Sequence, residues 1–357
     1  MVRDNPLEDW LFDTEIPIKP QRASENWTEI RADLDHLQNF LAHPVPGYTW
    51  YDAVGGVSFR YSMGLPLAWV TQAQEFYRVV YQAKGRGILY AQESLLTLIA
   101  HALNPVSVPF WLEILNYNRP RDIFIPARRD YAVAALALLV IRQGTLEAFN
   151  ALRDLLYHPD PDVRALAVYV LGQVYLYPKL PLPMDIQTAF AQIAVQDTAF
   201  KPRFQARAML RECDFAVPLD NPGGVYVFKV RHKQAIKSYR VIELRSEQDL
   251  DDLHVAIQRA FSWNSDHLYS FFMTGKYDPR YTFACQYEET HPPWTHQAVI
   301  GELGLGRRHK FVYLFDYGDQ HEFEIEVTAI CPQAGSGDYP RVVKSVGKAP
   351  DQYRDWL

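Results

Sequence analysis

Residues 311–326, FVYLFDYGDQHEFEIE, decide how this chain is read. Phe311, Tyr313 and Phe315 alternate with Val312 and Leu314, and Gly318 breaks the run. Phe323, Ile325 and Val327 then alternate with Glu322, Glu324 and Glu326. A period of two sends one set of side chains to the buried face of a pleated strand and the other set to water. The stretch is a strand-turn-strand hairpin with a polar tip, and it defines a domain rather than a reaction.

Working outward, Asn221-Pro222-Gly223-Gly224 is a turn or linker, and a helical period gives way to strand alternation directly after it. A domain boundary near residue 220 is expected. Val225–Val230 and Tyr239–Leu244 read as two strands joined by a polar turn containing Lys233 and Lys237. Ser246 and Asp249 offer a capping-box-like start for a helix whose Leu250, Leu253, Ile257 and Phe261 face a sheet. His267–Met273 and Tyr281–Tyr287 add strands, and Gln297–Leu303 reads as a short helix. Hairpin-length connections make antiparallel pairing the expectation.

Four segments in order, VYVFKVRH (225–232), LHVAIQRAFSWNSDHLYSFFM (253–273), KFVYLFDYGDQHEFEIEV (310–327) and YPRVVKSVGKAPDQY (339–353), resemble the plasmid pRiA4b ORF-3-like family. The resemblance covers residues 225–353 and implies an α+β fold without an established activity; some members are passengers of insertion elements. Many members read D-F-G-D-D-W-E-H at the hairpin tip. Here Phe323 stands at the usual histidine position and His321 where tryptophan is common.

From Ala68 to about Leu210 the apolar period is helical, in segments separated by Gly, Pro, Asn or Asp. In the clearest unit, Thr145–Tyr175, Leu146, Phe149, Leu152, Leu155 and Leu156 line one helix, and Val163, Leu166, Val170, Leu171 and Val174 the next. Between them, Asp160 is placed to cap the second helix and Pro161 suits its first turn, where the missing N–H has no partner to lose. The unit resembles a HEAT repeat, with Gly172 as the late glycine. That resemblance implies a ladder of turn acids and following arginines through Asp162, Arg164 and Arg203. Weaker copies align Tyr90-Ala91, Tyr131-Ala132, Ala167 and Ala206, with Arg129, Arg164 and Arg203 just ahead of the last three. A basic groove through Arg119, Arg121, Arg128 and Arg129 is the competing reading, diluted by Asp122 and Asp130. Ser24–Leu41 is expected to form an amphipathic helix that caps the array. The stretch before it, with Pro6, Pro17 and Pro20, reads as an irregular arm.

The formal net charge is −6 and the apolar share is 48% over 357 residues. A general coat for nucleic acid is therefore not expected, since phosphate binding needs clustered Lys and Arg. The start, MVRDNPLEDW, has acids where an export signal needs a basic end and an apolar run. The apolar stretch Tyr131–Ile141 is far shorter than the roughly 20 residues that span a bilayer. Cys213, Cys285 and Cys331 form no C-x-x-C pair and are expected to be reduced in a cytoplasm.

His267, Asp316, Asp319 and His321, with Asp266 or Glu322 assisting, are the candidate polar site. Carboxylates and imidazoles together would suit a divalent metal that activates water. The structural alternative makes Asp316 and Asp319 acceptors for the turn's own N–H groups and His267 a hydrogen-bonded histidine beside Trp263 and Tyr269. Arg307, Arg308 and Lys310 are candidate nucleic-acid contacts, with Tyr281, Tyr287 and Trp294 available for stacking and Glu288 and Glu289 opposing. The run Gly301-Glu302-Leu303-Gly304-Leu305-Gly306 is not a phosphate loop, because no G-K-[ST] accompanies it.

The expectation is a multidomain α and α+β chain: an arm and capping helix over 1–66, a HEAT-like α-solenoid over 67–220, and an α+β domain with a mainly antiparallel sheet over 221–357. It is read as a cytoplasmic, non-enzymatic interaction protein that takes a protein partner in the repeat groove. No cofactor, bound metal or membrane is expected. A nucleic-acid-associated role linked to mobile elements and a metal-dependent hydrolase are the alternatives.

Overall fold

The computed structural model describes residues 27–54, 64–117, 128–176, 179–286 and 293–353. The arm and Arg119, Arg121, Asp122, Tyr287, Glu288 and Glu289 lie outside them, as does the side chain of Arg128. The chain divides into two compact units, Met1–Leu182 and Pro183–Leu357.

The first unit is helical: α1 Trp27–Ala42, α2 Trp50–Ala53, α3 Leu67–Gln82, α4 Ile88–His101, α5 Val108–Ile114, α6 Arg128–Gln143, α7 Leu146–Leu155 and α8 Pro161–Leu176. The amphipathic reading of α1 holds, with Ile30, Leu34 and Leu37 buried at helical spacing. In α7 the buried stripe is Ala148, Ala151, Leu152 and Leu155, so Phe149 is half-buried and Leu146 stands 70% exposed. The buried face of the helix thus shares Leu152 and Leu155 with the expected stripe and takes Ala148 and Ala151 in place of Leu146 and Phe149. At the start of α8, Asp160 Oδ1 accepts from the Asp162 N–H at 2.9 Å, and Pro161 occupies the first turn. Arg129 of α6 pairs with Asp160 and, at 3.8 Å, with Asp162.

The second unit begins earlier than residue 220. It contains α9 Met184–Gln196, α10 Phe200–Glu212, β1 Val225–His232, β2 Tyr239–Arg245, α11 Leu250–Phe261, β3 Tyr269–Phe272, β4 Thr282–Ala284, β5 Lys310–Phe315, β6 His321–Cys331 and β7 Arg341–Val346. The expected 67–220 array therefore loses its last helix pair to the sheet domain, and one core runs across the Asn221–Gly224 turn. Phe204 of α10 packs on Tyr281 and Phe283, with ring centroids 5.3 and 5.9 Å away. The buried Arg207 supplies the polar part of that junction. Its guanidinium donates to Ala194 O, Pro218 O and Gly301 O and meets Asp220 Oδ1 at 2.8 Å. Arg203 is not a ladder residue either: it donates to Asp197 O and to Gly304 O. Arg164 donates to His158 O, six residues back.

The seven strands form one antiparallel sheet in the order β4-β3-β5-β6-β1-β2-β7. Tyr313 pairs with Phe323 and Phe311 with Ile325, all buried, as the alternation requires. Helix α11 covers this face with Leu250, Leu253, Ile257 and Phe261. Asp249 is its N-cap, with Asp252 completing the capping box. Ser246 is not part of the cap; its buried hydroxyl donates to Asn221 O and Gly224 O.

Three local expectations change. Gln297–Leu303 is two 3-10 turns, Thr295–Gln297 and Ile300–Glu302, because the glycines there serve close approach rather than helix. A Cβ on Gly301 would sit 2.7 Å from the Asp220 carbonyl oxygen. The strand expected over Tyr281–Tyr287 is the three residues of β4, and β7 was not anticipated, since four of its six residues are exposed.

Candidate functional site

One end of the sheet carries the polar chemistry. Tyr269 pairs with Phe315 and Phe315 with His321, so the loop after α11, the β5–β6 turn and the start of β6 meet there. The Asp316 N–H donates to Leu268 O at 3.0 Å, which ties the turn to the His267 loop.

His267 Nε2 lies 3.4 Å from Asp316 Oδ2 and 3.8 Å from Asp266 Oδ1. Asp316 Oδ1 accepts from the N–H groups of Gly318, at 2.9 Å, and Asp319, at 3.3 Å. Thus His267 and Asp316 come together, whereas Asp319 contributes its backbone and stands exposed. His321 points inward instead, its ring 4.7 Å from Trp263, and its Nε2 is buried without a hydrogen-bond partner. An inward-facing β6 position explains why an aromatic ring suits it. The ring of His267 lies near Phe315 and Tyr353. Among the described residues no three His, Cys, Asp or Glu side chains group as a metal requires. The four candidates therefore do not form one centre, because His321 opens β6 with its ring buried while Asp319 lies in the exposed turn before it.

The C-terminal segment fastens the same loop. The Trp263 indole N–H donates to Pro350 O at 2.8 Å, and the Asn264 N–H to Gln352 Oε1 at 2.7 Å. Gln352 Nε2 donates back to Asn264 O and Asp266 Oδ1, and the Tyr353 hydroxyl donates to Asp266. That last bond holds the Asp266 carboxyl below its ordinary range and pushes the Tyr353 phenol up to about 12.

Behind the loop runs a polar network that sequence reasoning missed. His254, on the sheet-facing side of α11, is 3% exposed. Its Nδ1 lies 2.7 Å from the Tyr313 hydroxyl and its Nε2 2.6 Å from Ser265 Oγ. Gln258 Nε2 also donates to the Tyr313 hydroxyl, at 2.7 Å. The imidazole stacks on Tyr269 at 3.6 Å with planes 2° apart. Tyr269 in turn donates to Asp251, which also accepts from Thr295 Oγ1 at 3.0 Å. Burial pulls His254 down to about 4 and raises both tyrosines, Tyr269 with help from the Asp251 bond. The one sequence signal was a histidine on the apolar stripe of LDDLHVAIQRAF.

The opposite sheet face is charged on both sides of the account. Glu322 pairs with Lys233, Glu324 with Arg231 at 2.5 Å, and Lys310 reaches Glu324 at 3.3 Å and Glu326 at 3.9 Å. Of the basic run, Lys310 is thus neutralised locally, Arg307 donates to Thr328 O, and Arg308 is exposed. The Gly301–Gly306 segment seats Asp220 and the Arg203 and Arg207 guanidiniums rather than a phosphate. No helix among the described residues is long and apolar enough to cross a membrane.

An antiparallel sheet with helix α11 packed on its apolar face defines an α+β domain. Residues 225–352 match the family model described as Plasmid pRiA4b ORF-3-like protein, so the chain carries a domain of that kind after a helical region. A solved structure, a protein of unknown function from Methanosarcina mazei Go1, aligns at 22% identity over 36% of this chain and 72% of that one, with a TM-score of 0.31. No curated protein matches the chain.

Proposed function

We propose that this chain is an interaction protein in which a HEAT-like helical region takes a protein partner and presents the pRiA4b ORF-3-like domain. The observation that carries the reading is the set of large apolar side chains left in water on the helical unit. Leu146, which opens α7, and Tyr157, in the turn after it, are each 70% exposed, and Leu67, Val79 and Leu112 add to them. Covering such surface yields roughly 25 cal/mol per Å², which favours a partner with an apolar face. The pairing of Arg129 of α6 with Asp160 and Asp162, at the start of α8, supports the HEAT-like assignment. Three cysteines without disulfides fit a reducing cytoplasm.

The test is affinity capture with the full chain beside a Leu146→Asp/Tyr157→Asp chain, both shown to be folded. A specific partner retained by the first and lost by the second is expected; equal retention would remove the helical unit from the binding surface. The nucleic-acid reading has weaker support, because Lys310 is held by Glu324 and Glu326.

A further inference from the structure

We propose that Ser265 is a nucleophile, activated by His254, that accepts an acyl group from an activated carboxylic ester. This goes beyond the interaction reading and is independent of the helical unit.

The geometry has the parts such a group needs. Ser265 is exposed, so an ester can reach it, while the histidine behind it is buried. Their atoms are 2.6 Å apart, within the reach of a nucleophile and its base. The imidazole is held on its far nitrogen by the Tyr313 hydroxyl and in its plane by the Tyr269 ring. Both neighbours of Ser265 are anchored, Asn264 and Asp266 each bonding to Gln352. The hydroxyl is thereby oriented before any substrate arrives, which removes part of the entropic cost of reaction.

The proton has two arrangements. In one, Gln258 Nε2–H donates to Tyr313, Tyr313 to His254 Nδ1, and His254 Nε2–H to Ser265. In the other, the Gln258 amide turns over, Tyr313 donates to its oxygen, His254 Nδ1–H donates to Tyr313, and Nε2 accepts the Ser265 proton. Gln258 Oε1 is buried without a hydrogen-bond partner in the first, so turning the amide exchanges one orphan for another. Reaction proceeds from the second. The Ser265 Oγ–carbon bond forms as its proton passes to His254 Nε2; the ester C–O bond then breaks, and the leaving oxygen takes that proton. Water repeats the sequence to release the acid.

The experiment treats the full chain with a fluorophosphonate and, separately, p-nitrophenyl acetate, and locates adducts by mass spectrometry. With the fluorophosphonate, an O–P bond forms at Ser265 and fluoride leaves. A single adduct at Ser265 is expected, absent from Ser265→Ala and from heat-unfolded protein. Labelling should slow at least ~10-fold in Tyr313→Phe, which leaves the base without its holder. Should that variant not fold, Gln258→Met serves, because it removes the acceptor that the reactive arrangement requires. No adduct at Ser265 in folded protein, an adduct elsewhere, or unchanged labelling in the folded variant would each overturn the proposal.

Discussion

Arg207 of α10 and Asp220, ahead of the turn into β1, are joined at 2.8 Å, and this pair lies where a domain boundary was expected. The guanidinium is buried, so its hydrogen-bonding groups must be matched by protein, and three carbonyl oxygens from separate segments do so. The helix pair and the sheet are held as one unit by this residue as much as by Phe204.

Arg207→Ala should therefore cost about 2–4 kcal/mol, since it strands buried carbonyls and leaves a cavity. Urea unfolding of the full chain checks this. A loss below about 1 kcal/mol would mean that α10 is not cooperatively bound to the sheet domain.

Gly301→Ala should also destabilise, by about 1–3 kcal/mol, because its Cβ would lie 2.7 Å from the Asp220 carbonyl oxygen and from Leu219 Cδ1. Backbone cannot swing aside as a side chain does. An unchanged melting temperature would show that the Asp220 segment is free to move.

Acid should weaken the second unit. Burial sets His254 and His309 at about 4, against an ordinary value of 6.5. Asp251 opposes the shift at His254; at His309, the Met273 carbonyl opposes it and Arg203 reinforces it. Between those values the unfolded chain binds protons that the folded chain refuses. Stability is thus complete above pH 6.5 and falls as the pH drops towards 4, by about 3 kcal/mol for each histidine. Urea midpoints at pH 7 and 4.5 should differ accordingly, and replacing His309 by Gln should flatten the dependence.

Glu324→Gln removes the shared partner of Arg231 and Lys310 on a face open to water. The expected cost is about 0.2–1 kcal/mol, smaller still at high salt. Denaturation at two salt concentrations measures it; a larger loss would mark that face as covered in solution.

Much of the second unit was legible in the letters. The alternation in FVYLFDYGDQHEFEIE matched the Tyr313–Phe323 pairing, and the α11 stripe matched its buried face. β7 was not legible, because an edge strand with exposed Val342 and Val343 has no buried face to impose a period. Of the candidate site, His267 and Asp316 met, but His321 turned inward.

Sequence alone determined the helical and pleated rhythms, since backbone geometry repeats every few residues and sorts apolar from polar side chains locally. Tertiary structure decided where the first unit ends, that Arg207 is buried, and that His254 meets Tyr313 and Ser265. Those contacts join residues as far apart as 94 positions, as in Arg207 and Gly301, and no local period encodes a distance that only packing closes.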